Sequence, residues 1–295
     1  MEVNNLTPEL ILKTQQPNKI VTKPKTVKSD DSKDKTKLVL GTLGAMAVLG
    51  AAVVLTRRHL LKNGNIDVPK LNETPRPSQL PNSSNILRSA GAQIKEFRES
   101  HVIPAEQKIV DGFMDGGRKA ILNENNEIIK ASREVIVVNR AEDKVLSEFI
   151  NQVKKQTEGM TEEDKVEFLY KYVSKLAGDS TVAEKNVQIY SFANGQKILL
   201  GEIFNKPYPL AVCRHRSLLF KVLGDELGLS VQLQRGKMGV VFEGEFIGGG
   251  HAWNVVKFKN GKSLLVDTMN AKKLDLSAKE AQRQYFSVNK EPLYK

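Results

Sequence analysis

The chain has 295 residues, a net charge of +11 and a single cysteine. That length holds one or two domains with a sizeable core, and one cysteine excludes both an internal disulfide and a zinc site built on several thiolates. Four scattered histidines, His59, His101, His215 and His251, do not read as a metal cluster, and no cofactor is expected.

The basic balance does not make a nucleic-acid binder. Residues 1–80 hold 13 Lys and Arg against 7 Asp and Glu, while residues 81–295 hold 32 against 27. In the longer part the signs alternate and no basic stripe interleaves with aromatics. Residues 1–37, polar and nearly free of aromatics, read as a disordered basic tail, because they cannot bury enough apolar surface to offset their ordering entropy. A tether to anionic lipid is a further use for such a tail.

Leu38 to Leu55 is an uncharged apolar run of 18 residues, closed by Thr56 and the pair Arg57-Arg58. As a helix it reaches about 27 Å, enough for a hydrocarbon core, so Leu38–Thr56 reads as a single-pass membrane anchor. Lys33, Lys35 and Lys37 on one side nearly balance Arg57, Arg58 and Lys62 on the other, so charge leaves the orientation open. The four-residue spacing of Gly41 with Ala45 and of Ala47 with Ala51 permits weak pairing of two such helices. Residues 57–83, with Pro69, Pro75, Pro77 and Pro81, form a linker. Residues 84–133 carry a broadly helical pattern broken by Pro104, Gly112, Gly116 and Gly117, as in a stalk or a wrapping segment.

Residues 134–295 read as a globular α+β domain, helices first and an antiparallel sheet after. Glu134–Val138 is a β-branched strand candidate, and residues 141–156 read as a helix. A second helix starts at the cap Thr161, with Asp164 three places on, repeats Val166, Leu169, Val173 and Leu176, and stops at Gly178. A third runs from Cys213 to Gly228 with Leu218, Leu219, Val222, Leu223 and Leu227 on one face. The stretches VQLQR, VVFEGEF, HAWNVVKFK and SLLVDTM follow as strands, with a hairpin turn expected at Asn260-Gly261.

The lone cysteine falls in the first turn of the third helix, where free backbone N–H groups and the positive helix end favour a thiolate. Arg214, His215 and Arg216 add positive charge and are assigned supporting positions around it. A thiolate nucleophile needs a histidine, and that histidine needs an acceptor. His251, after Gly248, Gly249 and Gly250, and Asp267, among Leu264, Leu265, Val266 and Met269, are the candidates. The glycines, Gly249 and Gly250 in particular, let backbone approach a substrate chain. Strand geometry alone does not join His251 to Asp267. A two-residue loop at Asn260-Gly261 puts them on opposite faces, and a three-residue loop restores one face but leaves a diagonal offset.

Leu200-Gly201-Glu202, Cys213-Arg214-His215-Arg216, the HAWN of His251–Asn254 and Leu265-Val266-Asp267 resemble the transglutaminase-like (papain-like) cysteine peptidase superfamily. In particular they are similar to the peptidase-like domain of plant Raf-like kinases of ethylene and disease-resistance signalling, also found in armadillo-repeat proteins. The resemblance covers roughly residues 134–285, with nothing upstream, and Ala211 stands where such sequences usually have Gly. It implies Cys213 as nucleophile, His251 as base and Asp267 as the orienting acid, with Trp253 as a wall beside the imidazole. The Cys213 backbone N–H then serves an oxyanion hole whose second donor stays unassigned. The function implied is a membrane-anchored cysteine hydrolase or acyltransferase acting on amide bonds of a protein or peptide: a peptidase, deamidase or transglutaminase. The alternative is a non-catalytic binding module of the same fold. A thiol enzyme favours a reducing compartment, hence the cytoplasmic side.

Overall fold

The computed structural model describes residues 83–190 and 192–294. The tail, the apolar run Leu38–Thr56 and the linker up to residue 82 lie outside the described residues. Among the described residues no helix is long and apolar enough to cross a membrane.

The chain begins with α1 (Ser83–Ser100), and then leaves the helical pattern expected for residues 84–133. Short strands follow instead: β1 (Val102–Ile103), β2 (Phe113–Asp115), β3 (Ile121–Leu122) and β4 (Ile128–Lys130). Gly112 and Gly117 adopt positive φ and turn the chain on either side of β2, which ends the helical periodicity. The segment is no separate stalk. Ile94, Phe97, Ile103, Ile109 and Phe113 are buried in the same core as the later helices.

β5 (Val135–Val138) lies between β2, antiparallel, and β6 (Lys197–Leu199), parallel. The helices α2 (Lys144–Gln156), α3 (Glu162–Ala177) and α4 (Ser180–Ile189) fill the interval, and α5 (Leu200–Phe204) follows β6 directly. Thr161 caps α3 as expected, its Oγ accepting from the Asp164 N–H at 3.1 Å, and Gly178 ends it at positive φ. Asp143 caps α2 through Oδ1 on the Leu146 N–H, and its Oδ2 accepts from the Gly201 N–H at 2.6 Å.

α6 (Cys213–Glu226) is the central helix. Its periodicity predicts one apolar face, yet every residue from Arg214 to Asp225 is buried. Its polar members find partners inside: Lys221 Nζ donates to Asp225 Oδ1 at 2.6 Å, and Asp225 Oδ2 accepts from the Ile109 N–H at 2.9 Å. The helix ends in a Schellman turn, with Leu229 N–H on Gly224 O and Gly228 at φ +71.

The main sheet runs β1-β7-β8-β9-β10, with β11 (Tyr285–Phe286) also on β7, all antiparallel. Here β7 is Ser230–Phe242, β8 is Glu245–Lys257, β9 is Ser263–Asp267 and β10 is Lys272–Asp275. VQLQR and VVFEGEF are therefore not two strands. They belong to one long hairpin, and VVFEGEF contains its turn, Glu243-Gly244, both at positive φ. The three glycines lie inside β8 rather than before it. The Asn260-Gly261 turn closes β8 on β9, with Phe258 N–H on Lys262 O and Gly261 at φ +84. One sheet face carries Val231, Leu233, Val256 and Val266 into the core shared with α6. The other carries Trp253, Val255 and Leu265 into a smaller cluster with Tyr285 and Ala281 of α7 (Lys279–Gln284).

Candidate active site

The site lies where β9 stops short. β9 pairs with β8 only between Asn254 and Lys257, so the β8 edge is open from Ala252 outward. Cys213, the first residue of α6, stands in that opening beside the Ala252 N–H. Cys213 keeps some exposure although its helix is buried.

His251 Nε2 hydrogen-bonds Asp267 Oδ2 at 2.7 Å, which leaves Nδ1 for the Cys213 thiol it contacts. Asp267 is held by five donors. Oδ1 accepts the N–H groups of Met269 and Asn270, both at 3.1 Å. Oδ2 accepts from His251, from Tyr285 OH at 2.9 Å and from Asn270 Nδ2 at 2.9 Å. Burial opposes the carboxylate charge, but the His251 charge and these hydrogen bonds outweigh it and hold Asp267 well below the usual range. Burial likewise opposes an imidazolium, yet Asp267 and the thiol together push His251 up to about 10. Burial and the Asp267 charge push the Cys213 thiol up, but His251 and the Ala252 N–H outweigh them and lower its pKa. Both directions favour a thiolate beside an imidazolium over a neutral pair.

The Cys213-Arg214-His215-Arg216 stretch fixes the start of α6 from three directions. Arg214 donates to Glu134 Oε1 and to the carbonyls of Asp115 and Glu134. The Val212 N–H donates to His215 Nδ1 at 3.1 Å, so His215 Nε2 carries the proton it gives Glu134 at 2.9 Å. Arg216 reaches the carbonyls of Ala177, Gly178, Ala211 and Thr268, tying the end of α3 and the end of β9 to α6. All three side chains support the cysteine and none replaces His251.

Trp253 is correctly placed next to His251 but cannot be a substrate wall. It has no exposed surface. Its ring stacks on the imidazole (centroids 6.0 Å apart, planes at 18°) and its indole N–H donates to Tyr294 OH at 2.8 Å, so it buttresses His251 from within. Gly250 lines the site, whereas Gly249 opens to solvent and borders neither cleft. Two clefts meet at Cys213, His251 and Gly250. The larger, about 490 Å³, is lined by Val187, Tyr190, Phe192, Leu210, Val212 and Met269, with Glu134 and Glu184. The smaller, about 220 Å³, lies toward Gly117, Arg118 and Lys119.

Sequence reasoning missed Tyr285, Asn270, the Ala252 N–H and the buried carboxylates Asp115 and Glu134. Asn270, three residues after Asp267, had a local turn signal; the others are brought in only by tertiary structure.

A thiol at a helix start, an imidazole on a neighbouring strand and a carboxylate behind it, within mixed helices and sheet, are the layout of a peptidase-like domain. The chain belongs to the EDR1/CTR1/ARMC3 peptidase-like family, whose model matches residues 92–272. The match starts well upstream of residue 134 and takes in the end of α1 and β1 to β4. No curated protein and no solved structure matches the chain.

Proposed function

We propose that the protein is a thiol enzyme that attacks amide carbonyls of a protein or peptide, with a transglutaminase-like, papain-like arrangement of Cys213, His251 and Asp267. The observation that carries this reading is that His251 touches both Asp267 and the Cys213 thiol, with Cys213 at the junction of two clefts. The thiolate forms the S–C bond, and negative charge moves to the carbonyl oxygen beside the Cys213 N–H at the α6 start. The imidazolium gives its proton to the departing nitrogen, leaving an acyl-thioester and a neutral His251. His251 then takes a proton from water or from an acceptor amine, and the thiolate leaves. Hydrolysis and acyl transfer share every residue and differ only in the second nucleophile.

A generic acyl donor tests this. With p-nitrophenyl acetate the wild type is expected to release a stoichiometric burst and carry an acetyl group on Cys213, seen by mass spectrometry. Cys213→Ala gives neither, and His251→Ala acylates on the order of 10²-fold more slowly or worse. Acylation that ignores His251 contradicts the reading and favours a binding module.

The run Leu38–Thr56 is proposed as a membrane anchor on its length and apolarity alone. Deleting it is expected to move the full chain from the carbonate-resistant membrane fraction to the supernatant.

A further inference from the structure

The smaller cleft differs from the larger in charge. Its walls include Arg118, Lys119, Arg133, Arg214 and Arg235 and no carboxylate, while the larger cleft holds Glu134 and Glu184. These cations are not equally free. Arg214 and Arg235 are buried and share Asp115, and Arg133 pairs with Glu134 at 3.6 Å. Among the described residues no carboxylate pairs with the exposed Arg118 and Lys119, so the cleft keeps an uncompensated positive charge. Arg214, 7 % exposed, adds a buried Nε without an acceptor.

Gly250 leaves room for Arg118: its guanidinium lies where a β-carbon on Gly250 would stand, over bare backbone one residue before His251. A planar fork there meets a carboxylate or phosphate in two-point fashion.

We propose that this cleft binds an anionic group of the substrate, next to the bond attacked, with Arg118 as its principal contact and Lys119 assisting. This deepens the thiol-enzyme reading and rests on it. The substrate class becomes a peptide with an acidic or phosphorylated residue on one side of the scissile amide and an apolar one on the other, over Leu210, Val212 and Met269. The volume suits one side chain.

The single cysteine allows a direct test in the full chain, because every thiol label reports on Cys213. Labelling rates are measured with 2-sulfonatoethyl methanethiosulfonate, an anion, and its trimethylammonium-ethyl counterpart, a cation, each normalised to a free thiol. The wild type is expected to favour the anion at least tenfold at low salt, less at high salt, and Arg118→Glu is expected to remove most of that preference. No preference, a preference indifferent to Arg118→Glu, or no labelling by either reagent overturns the proposal. His251→Ala separates this from the catalytic reading: both rates fall if the thiol is activated by His251 and hold if it is not. The Arg118-dependent ratio is read in either case. Protection from the anionic reagent, at matched ionic strength, by N-acetylglutamate amide or N-acetylphosphoserine amide identifies carboxylate or phosphate. Equal protection by N-acetylglutamine amide, or none by any of the three, counts against the site.

Discussion

His251 and Asp267 meet on a diagonal of the sheet. The β8–β9 register pairs Asn254 with Val266, so one step further Trp253 stands opposite Asp267, and His251 reaches the carboxylate from two residues along at 2.7 Å. Such diagonal neighbours are within reach of a long side chain, and Trp253 packed against the ring keeps the imidazole turned toward the acid. The three-residue loop at Lys259–Gly261 sets this offset, since a two-residue loop would put the two side chains on opposite faces.

Asp267→Asn keeps the size and loses the charge. The imidazolium loses its largest source of stabilisation, so the His251 pKa is expected to fall toward the free value. Acylation of Cys213 should drop on the order of 10³-fold or more, as when a triad acid is neutralised. Histidine NMR titration and burst kinetics check both parts. Tyr285→Phe leaves Asp267 four donors, and its effect should be far smaller.

Lys221 and Asp225 make a buried pair one helical turn apart. Asp225→Ala strands the ammonium and also the Ile109 N–H, and is expected to cost about 3–5 kcal/mol in urea unfolding. Replacing both, as Lys221→Met with Asp225→Leu, should cost much less than the two single changes added together. Additive costs would show the pair uncoupled.

Gly201 in the Leu200-Gly201-Glu202 stretch has no room for a side chain. A β-carbon there would lie 2.5 Å from both Asp143 Oδ1 and the Leu146 nitrogen, the atoms that cap α2. Gly201→Ala should therefore destabilise by about 1–3 kcal/mol and lower the melting temperature. An unchanged melting temperature would mean that the α2 cap yields easily.

Acid should loosen the α6 anchor. Burial disfavours the Glu134 carboxylate, but the His215 hydrogen bond and the Arg214 charge outweigh it and bring the pKa from 4.5 to about 2. A folded pKa below the unfolded one gives stability that is present above about pH 4.5 and lost as pH falls through about 2, here roughly 3 kcal/mol. Asp115 and Asp267, also held low, act in the same direction. Urea unfolding between pH 6 and 2 should show this loss, and Glu134→Gln should flatten part of the slope.

Much of this arrangement was legible in local sequence because local physics decides it. The Thr161 cap, the Gly178 stop and the placing of Cys213 in a first helical turn depend on neighbours within four residues. Other features depend on long-range packing. β2 to β4 are two or three residues long, too short to show a period, so residues 101–133 read as interrupted helix. The strand candidate HAWNVVKFK starts after Gly248–Gly250, whereas in β8 the pairing is made by backbone and runs through them without needing a side chain. Arg214 and His215 are buried on partners, Asp115 and Glu134, that lie 80 residues or more away, which no local pattern reveals. Trp253 beside His251 was visible; that it faces inward depends on Tyr285 and Tyr294, at the far end of the chain.

The proposed chemistry requires that His251 make a thiolate of Cys213. The rate of Cys213 alkylation by iodoacetamide, followed against pH in wild type and His251→Ala, tests it most directly. The wild-type thiol pKa is expected well below the free value of about 8.5, rising toward it in His251→Ala with a slower rate at neutral pH. A wild-type pKa at or above that of a free thiol, unchanged by loss of His251, would contradict it.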